Sequence, residues 1–354
     1  RKPIAMGKPP GLERAIFTGV RFGGGILLMT EKTRKIATIF GGSGFIGSQL
    51  TQDLARRGYS VRVAVRRPDL AGHVRMFGFP GQIQPVQANL RYPESVASAV
   101  RGSDVVINLV GILFEKGKQR FRAVQTQGAK AVAEAARDAG VPTLIHMSAI
   151  GADTQSPSAY QRAKALGEDE VFKAFPKAIV IRPSLVFGAE DGFFNLFGFI
   201  ARMSPIMPLI GRDTKFQPVY VADVAEAIAL ASQGAVKTGK VYELGGPEIV
   251  TMEQVIERVL EQTRRKRVVL PLPEFVAKPV ASVLSLLRRP LLTPDQVIQL
   301  GIDNVFSHEA IRQKRTLEAF GIAPTTMDAI LPTYMWRFRK HGEFDRHINP
   351  LVNG

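Results

Sequence analysis

The stretch Lys35-Ile-Ala-Thr-Ile-Phe-Gly-Gly-Ser-Gly-Phe-Ile-Gly47 constrains this chain more than any other. A short apolar run ends in glycines at 41, 44 and 47, and residues 48–57 continue at helical spacing to Gly58. A strand, a turn and a helix in that order need glycine for three separate reasons. One position makes the tight turn, one lets the backbone approach a pyrophosphate, and one lets the helix pack closely on the strand. The helix start then offers unpaired N–H groups and partial positive charge to phosphate. A purely structural turn is the alternative; the strand before and the helix after favour a dinucleotide site.

The same alternation runs on. Apolar stretches at 36–40, 61–65, 83–87, 104–110 and 143–148 are separated by helical patterns at 46–57, 93–101 and 121–139. Gly58, Gly102 and Gly140 stand where those helices should stop. Strands alternating with helices predict an α/β fold with a Rossmann-like, doubly wound parallel sheet. A helix near 158–175 and a strand at 177–182 continue it. Past 185 the pattern loosens into a smaller C-terminal α/β lobe with helices near 221–233 and 251–263 and a strand near 240–244. We therefore expect a disordered or extension segment at 1–34, read as an upstream extension with Met29 as the true start in preference to a targeting segment. An NAD(P)-binding domain should follow at 35–185, and a lobe interleaved with that core at 186–345.

The chain has 354 residues and no cysteine, which excludes disulfides, Cys-ligated zinc and Cys-ligated iron–sulfur clusters. His73, His146, His308, His341 and His347 have no metal-ligand spacing, so no metal is expected. Against 31 acidic residues stand 47 basic ones, a formal charge of +16, so the partner should be negative: lipid headgroups, nucleic acid or an acidic protein face. The arginines are not interleaved with aromatics as in an RNA module, which disfavours nucleic acid. No apolar run reaches the roughly 18 residues of a membrane span. The nearest, 192–201, stops at Arg202.

One stretch suits a membrane surface instead. In 264–292, Arg264-Arg-Lys-Arg267 and Arg288-Arg289 flank an apolar segment in which Phe275, Val276, Val280, Val283, Leu284 and Leu287 share a helical face, disturbed by Pro279. Such a face lies at an anionic lipid interface or packs on the lobe's own core. The tail Tyr334-Met-Trp-Arg-Phe-Arg-Lys340 carries the same two readings.

Three further places carry chemistry. Some 20 residues past the glycine turn, an acid would bind a ribose hydroxyl of NAD and an arginine the 2′-phosphate of NADP. Arg66 and Arg67 stand there, which favours NADP(H), the alternative being a solvated pair. Asn89 follows the third strand as an adenine contact or a turn residue. Tyr160 and Lys164 are four apart, on one helix face, where the cation would favour the phenolate of a proton-exchanging tyrosine; a surface pair is the alternative.

Gly41-x-x-Gly44-x-x-Gly47, Tyr160-x-x-x-Lys164, Arg182-Pro-Ser-Leu-Val-Phe-Gly188 and Pro218-Val-Tyr-Val-Ala-Asp223-Val, in that order, resemble the extended or atypical short-chain dehydrogenase/reductases. The resemblance implies a cofactor site of Gly41, Ser43, Gly44, Phe45, Ile46, Gly47, Arg66, Arg67, Asn89, Leu90, Val110, Ser148, Tyr160, Lys164 and Pro183. Tyr160 and Lys164 would be catalytic if the protein turns over. It departs from that pattern after the fifth strand, where Ser148 comes early and Ala149 or Ile150 stands in place of the family's serine. Val106–Leu113, His146–Gly151, Phe216–Asp223 and Pro290–Val297 resemble a narrower branch, that of the respiratory complex I alpha-subcomplex subunit 9 and its bacterial homologues. That implies a structural NADPH, complex I subunits as partners and no part in the main electron path. The place implied is peripheral on the inner membrane, on the cytoplasmic side in a bacterium or the matrix side in a mitochondrion. The competing function is a free-standing NADP(H)-dependent reductase of a hydrophobic carbonyl or alcohol.

Overall fold

The computed structural model describes residues 17–22, 25–30, 34–287 and 290–342. Strands β1 (Phe17–Phe22) and β2 (Gly25–Thr30) pair antiparallel, regular structure within a segment expected to be disordered or an extension. The rest of that segment, and the Arg288–Arg289 flank, lie outside the described residues.

From Ile36 the expected alternation takes form. β3 (Ile36–Phe40) is followed by α1 (Phe45–Arg56), β4 (Ser60–Val65), β5 (Ile83–Gln87), α2 (Pro93–Val100), β6 (Val105–Asn108), α3 (Gln127–Asp138), β7 (Thr143–Met147), α4 (Ala159–Ala174) and β8 (Ile179–Pro183). A 3₁₀ stretch at 68–77, opened by Pro68, joins β4 to β5 in place of a crossover helix. The chain then runs through β9 (Val186–Phe187), α5 (Phe194–Met203), β10 (Ile206–Leu209), β11 (Lys215–Phe216), β12 (Val219–Tyr220) and α6 (Val221–Ser232). It ends with β13 (Lys240–Leu244), β14 (Val250–Thr251), α7 (Met252–Thr263), β15 (Val268–Pro271), α8 (Glu274–Leu284), α9 (Pro294–Gln299), α10 (His308–Arg312) and α11 (Met327–Met335).

Seven strands form one parallel sheet in the order β13-β8-β7-β6-β3-β4-β5. Its inner strands β3, β6 and β8 read as largely apolar runs because both faces are covered. Alternate residues serve alternate cores: Ala37, Ile39, Val63 and Ile107 meet Leu50 and Leu54 of α1 and Val224 and Ile228 of α6. Phe40, Ala64, Val106 and Leu144 meet Val96 of α2 and Val132 and Ala136 of α3. The α/β expectation is met. A separate cluster, with Phe187, Phe194, Val255, Val259, Leu331 and Met335, holds α5, α7 and α11 together beyond the sheet. Tyr334, Met335 and Phe338 are buried there, so this part of the tail is core, while Arg337 and Lys340 are exposed.

Candidate functional site

β3 lies at the switch point of the sheet, between β4 and β6, where open α/β sheets bind ligands outside the strand ends. Gly41 turns the chain at φ +81°, a conformation that strains any side chain, while its N–H donates to the Ala64 carbonyl (3.1 Å). A Cβ on Gly47 would overlap the Gly41 carbonyl oxygen and stand 2.7 Å from Gly42 Cα, so the helix sits directly on the turn. Gly44 is different. A Cβ there would meet only the Gly41 oxygen, at 3.3 Å, with open space beyond. Gly44 is also the N-cap of α1, with no side-chain cap and no acidic residue in the first turn. The first N–H groups and the positive end of the helix dipole are therefore left for an anion. Ser43, Phe45 and Ile46 are half-buried around this opening. These features fit a pyrophosphate.

The other expected residues follow along the same sheet edge. At the end of β4, Arg66 is exposed and makes no ion pair among the described residues, whereas Arg67 is held by Asp69 (2.6 Å). That contact pushes the guanidinium up and the carboxyl down from their usual ranges. After β5, Asn89 Oδ1 accepts from the Arg91 N–H (3.2 Å), the geometry of a turn residue. Leu90 is buried in the core and lies against Gly128. Val110 follows β6, its N–H held by Asn108 Oδ1 (3.2 Å) and its side chain next to Gly41. Pro183 ends β8, and its carbonyl accepts from the Ile150 N–H (3.0 Å).

Tyr160 and Lys164 stand on α4, which Ser158 caps by accepting from the Gln161 N–H (3.3 Å). Lys164 is buried, donates to the Met147 carbonyl (3.0 Å) and has its Nζ 5.9 Å from the Tyr160 ring centre. Burial pulls the Lys164 ammonium down to about 8, against the opposing pull of Glu168. Burial, with the Asp295 carboxylate adding to it, pushes the Tyr160 phenol up to about 12. Phe121 packs edge-on against that ring (5.8 Å). Farther along α4, Glu168 takes two hydrogen bonds from Arg182 of β8 (2.8 and 2.7 Å), which fixes the helix to the sheet. Ser148 is buried beside Met147, and its hydroxyl has no partner. His146 bonds Asn108 through Nδ1 (3.3 Å) with Nε2 unpartnered, and burial followed by Lys164 holds it down at about 3, a neutral imidazole. A proton donor and a cation thus face the end of β7, but the site favours the phenol over the phenolate.

Two residues escaped the sequence reading. Gly42 packs against Ile39, Val63 and Thr51, where a Cβ would lie 3.1–3.2 Å from each. Asp295 reaches α4 from the far lobe, accepting from the Ala159 N–H (2.7 Å) and the Ser158 hydroxyl (2.9 Å). Gly42 was visible as a fourth glycine in the run. Asp295 had no local signal, because an acid after a helix-starting proline ordinarily serves its own helix.

On the surface, α8 buries its small residues Ala277 and Ala281 and leaves Phe275 (78% exposed) and Val283 (68%) facing out, with Leu286 (84%) exposed just past its end. No helix among the described residues is long and apolar enough to cross a membrane.

The fold and the site define an NAD(P)-binding protein, and residues 41–179 match the family model described as NAD(P)H-binding. An NADPH-dependent quinone oxidoreductase of Escherichia coli, solved with NADPH, shares the fold with a TM-score of 0.65 at 20% identity, covering 84% of this chain and 98% of that one. The mitochondrial NADH dehydrogenase [ubiquinone] 1 alpha subcomplex subunit 9 of Arabidopsis thaliana is 33% identical over 321 residues, 87% of this chain and 79% of that protein. The chain belongs to the family of these complex I alpha-subcomplex subunit 9 proteins. A ceramide reductase of Caulobacter vibrioides is 32% identical over 56% of this chain and 61% of that protein.

Proposed function

We propose that this chain is an accessory subunit of respiratory complex I that holds NADPH as a structural group and supports assembly and stability at the membrane-arm junction. It takes no part in the main electron path. The observation that carries the reading is a glycine turn and a bare helix start suited to a dinucleotide, in a chain related to subunit 9 over 87% of its length. The bare first turn of α1 and the opening at Gly44 hold the pyrophosphate. Burial and the Asp295 carboxylate keep the Tyr160 phenol protonated, at about 12, which disfavours a turnover that starts from the phenolate. Arg66, exposed at the end of β4, favours a 2′-phosphate and hence NADPH over NADH. When bound, that cofactor would supply a hydride donor at the C-terminal ends of the strands.

Other complex I subunits and an anionic membrane surface are the partners. The +16 charge and the apolar face of α8 support a peripheral place on the inner membrane, cytoplasmic in a bacterium or on the matrix side in a mitochondrion. Gentle detergent extraction and a native gel test this. The chain should co-migrate with complex I and release stoichiometric NADPH on denaturation; a wholly soluble, monomeric pool refutes it.

Tyr160 and Lys164 on one face of α4, together with the ceramide reductase relative, favour a second reading: an NADP(H)-dependent reductase of a hydrophobic carbonyl or alcohol. Tyr160→Phe separates the two. The reductase loses turnover by roughly 10²–10⁴-fold, whereas the structural subunit assembles as before.

A further inference from the structure

The short helix α9 touches both the candidate site and the buried side of α8. Toward the site, Asp295 Oδ1 accepts from the Ala159 N–H (2.7 Å), and Oδ2 accepts from the Ser158 hydroxyl (2.9 Å) and the Tyr160 N–H (3.3 Å). Gln299, one turn on, steadies the carboxylate through Oδ2 (2.8 Å). Asp295 is not needed at its own helix end, where Thr293 and Gln296 already form a capping box. It works instead on α4, satisfying first-turn N–H groups that the Ser158 cap leaves over and placing a negative charge at the positive end of that helix. On its other side, α9 packs Val297 against Ala277 and Ala281, the buried seam of α8. One contiguous path therefore runs from the exposed apolar face, through α8 and α9, to the first turn of α4, with Tyr160 on that turn and Lys164 one turn farther.

We infer that Asp295 is a positioning residue that latches the lobe to the dinucleotide site, so that the seating of α8 and α9 and the retention of the nucleotide depend on each other. The inference rests on the glycine turn holding a dinucleotide. Linkage makes the dependence reciprocal: if the latch tightens nucleotide binding, the nucleotide must steady the latch by the same factor.

The test uses the full chain loaded with NADPH, with release followed by nicotinamide fluorescence during a chase with excess NADP⁺. Hydrogen exchange is read over 159–164 and 293–299 with and without NADPH. Asp295→Ala should speed release about tenfold, as the loss of a charged helix cap implies. Asp295→Asn, which keeps an acceptor and folds more readily, should speed it about two- to threefold. NADPH should slow exchange over 293–299 in the wild type and not in Asp295→Ala. Ala281→Leu, which overfills the α8–α9 seam and touches nothing in the site, should speed release in the wild type yet add nothing to Asp295→Ala. A merely structural Asp295 would show neither the crossed protection nor this non-additivity. Wild-type release rates in folded Asp295→Ala and Asp295→Asn, or no protection of 293–299 by NADPH in the wild type, overturn the latch alone. A wild type that binds no NADPH overturns the reading of the glycine turn, and the latch with it.

Discussion

Replacing Gly47 with alanine sets helix propensity against packing, and the geometry decides between them. Alanine is better than glycine inside a helix by about 1 kcal/mol, and Gly47 has no positive φ to protect. Yet its Cβ would stand 2.7 Å from Gly42 Cα and closer still to the Gly41 carbonyl, where ordinary contact begins near 3.4 Å. Both obstacles are backbone, so no rotamer can yield, and α1 must retreat by at least about 0.7 Å. A gap of about 0.5–1 Å forfeits a quarter to a half of each dispersion contact it opens. The fully buried Leu50 and Leu54 ride on that helix. Overpacking costs about 1–3 kcal/mol; with backbone on the far side the upper figure applies, leaving a net loss of about 2 kcal/mol after the gain in propensity. Gly44→Ala is the matched control. Its Cβ points into open space beyond one 3.3 Å contact, so the stability loss should stay near the about 1 kcal/mol of a changed N-cap. Its main effect should be on binding, because the methyl enters the space of the pyrophosphate. Urea unfolding of the nucleotide-free variants by far-ultraviolet dichroism measures the first quantity and NADPH titration the second. A Gly47→Ala variant as stable as the wild type, or less impaired than Gly44→Ala, would refute the reasoning.

Two further predictions test the site's electrostatics. Between its buried value of about 3 and the ordinary 6.5, His146 is neutral in the fold and protonated in the unfolded chain. The unfolded state then binds the extra proton, so stability falls as pH drops through that window, by about 1.4 kcal/mol per pH unit. His146→Gln should therefore show a shallower acid limb in unfolding free energy between about pH 6 and pH 4; parallel limbs exclude the argument. Arg66→Gln should weaken NADPH binding about tenfold, the lower end for a charged hydrogen bond, and leave NADH within about twofold. Arg67, already engaged by Asp69, should not compensate. Equal losses for the two nucleotides would move the 2′-phosphate contact elsewhere.

What the sequence made legible was local. The runs at 36–40, 83–87 and 240–244 coincide with β3, β5 and β13, and β3, inside the sheet and covered on both faces, announces itself without reference to its neighbours. The run at 104–110 overshoots because apolar residues continue after β6, while Asn108 turns the chain out of the sheet by taking the Val110 N–H on its side chain. The helix expected at 121–139 opens instead with a π-helical stretch, Arg122–Thr126. There α4 comes so close that a Cβ on Gly167 would strike the Gln125 carbonyl, which explains a glycine in the middle of a helix. The site divides in the same way. The glycine turn and the Tyr160–Lys164 spacing are written within a few residues. The Arg182–Glu168 clamp, the Thr325 groups that hold Asp223 and the reach of Asp295 to α4 join residues far apart in the chain, and only the folded topology brings them together.

The protonation of Tyr160 is set by burial, a lysine and a carboxylate acting together. A lysine one helical turn away should lower a phenol's pKa by its charge, and Lys164, at about 8, is still mostly protonated near neutral pH. The phenol nevertheless rises. Burial is the larger effect, and the nearest carboxylate, Asp295, faces the same turn of α4 and adds to it. Lys164 is also turned toward the Met147 carbonyl, 3.0 Å away, so part of its charge is answered by the end of β7. The groups that fix α4 in place, Asp295 at its start and Arg182 through Glu168 farther along, are thus paired with an environment that keeps Tyr160 neutral. A phenol held two units above its ordinary value would cost a proton-transfer step about 2.7 kcal/mol if that step needed the phenolate. Carbonyl reduction starts from the neutral phenol, so that burden falls on alcohol oxidation, while a structural NADPH asks nothing of either form.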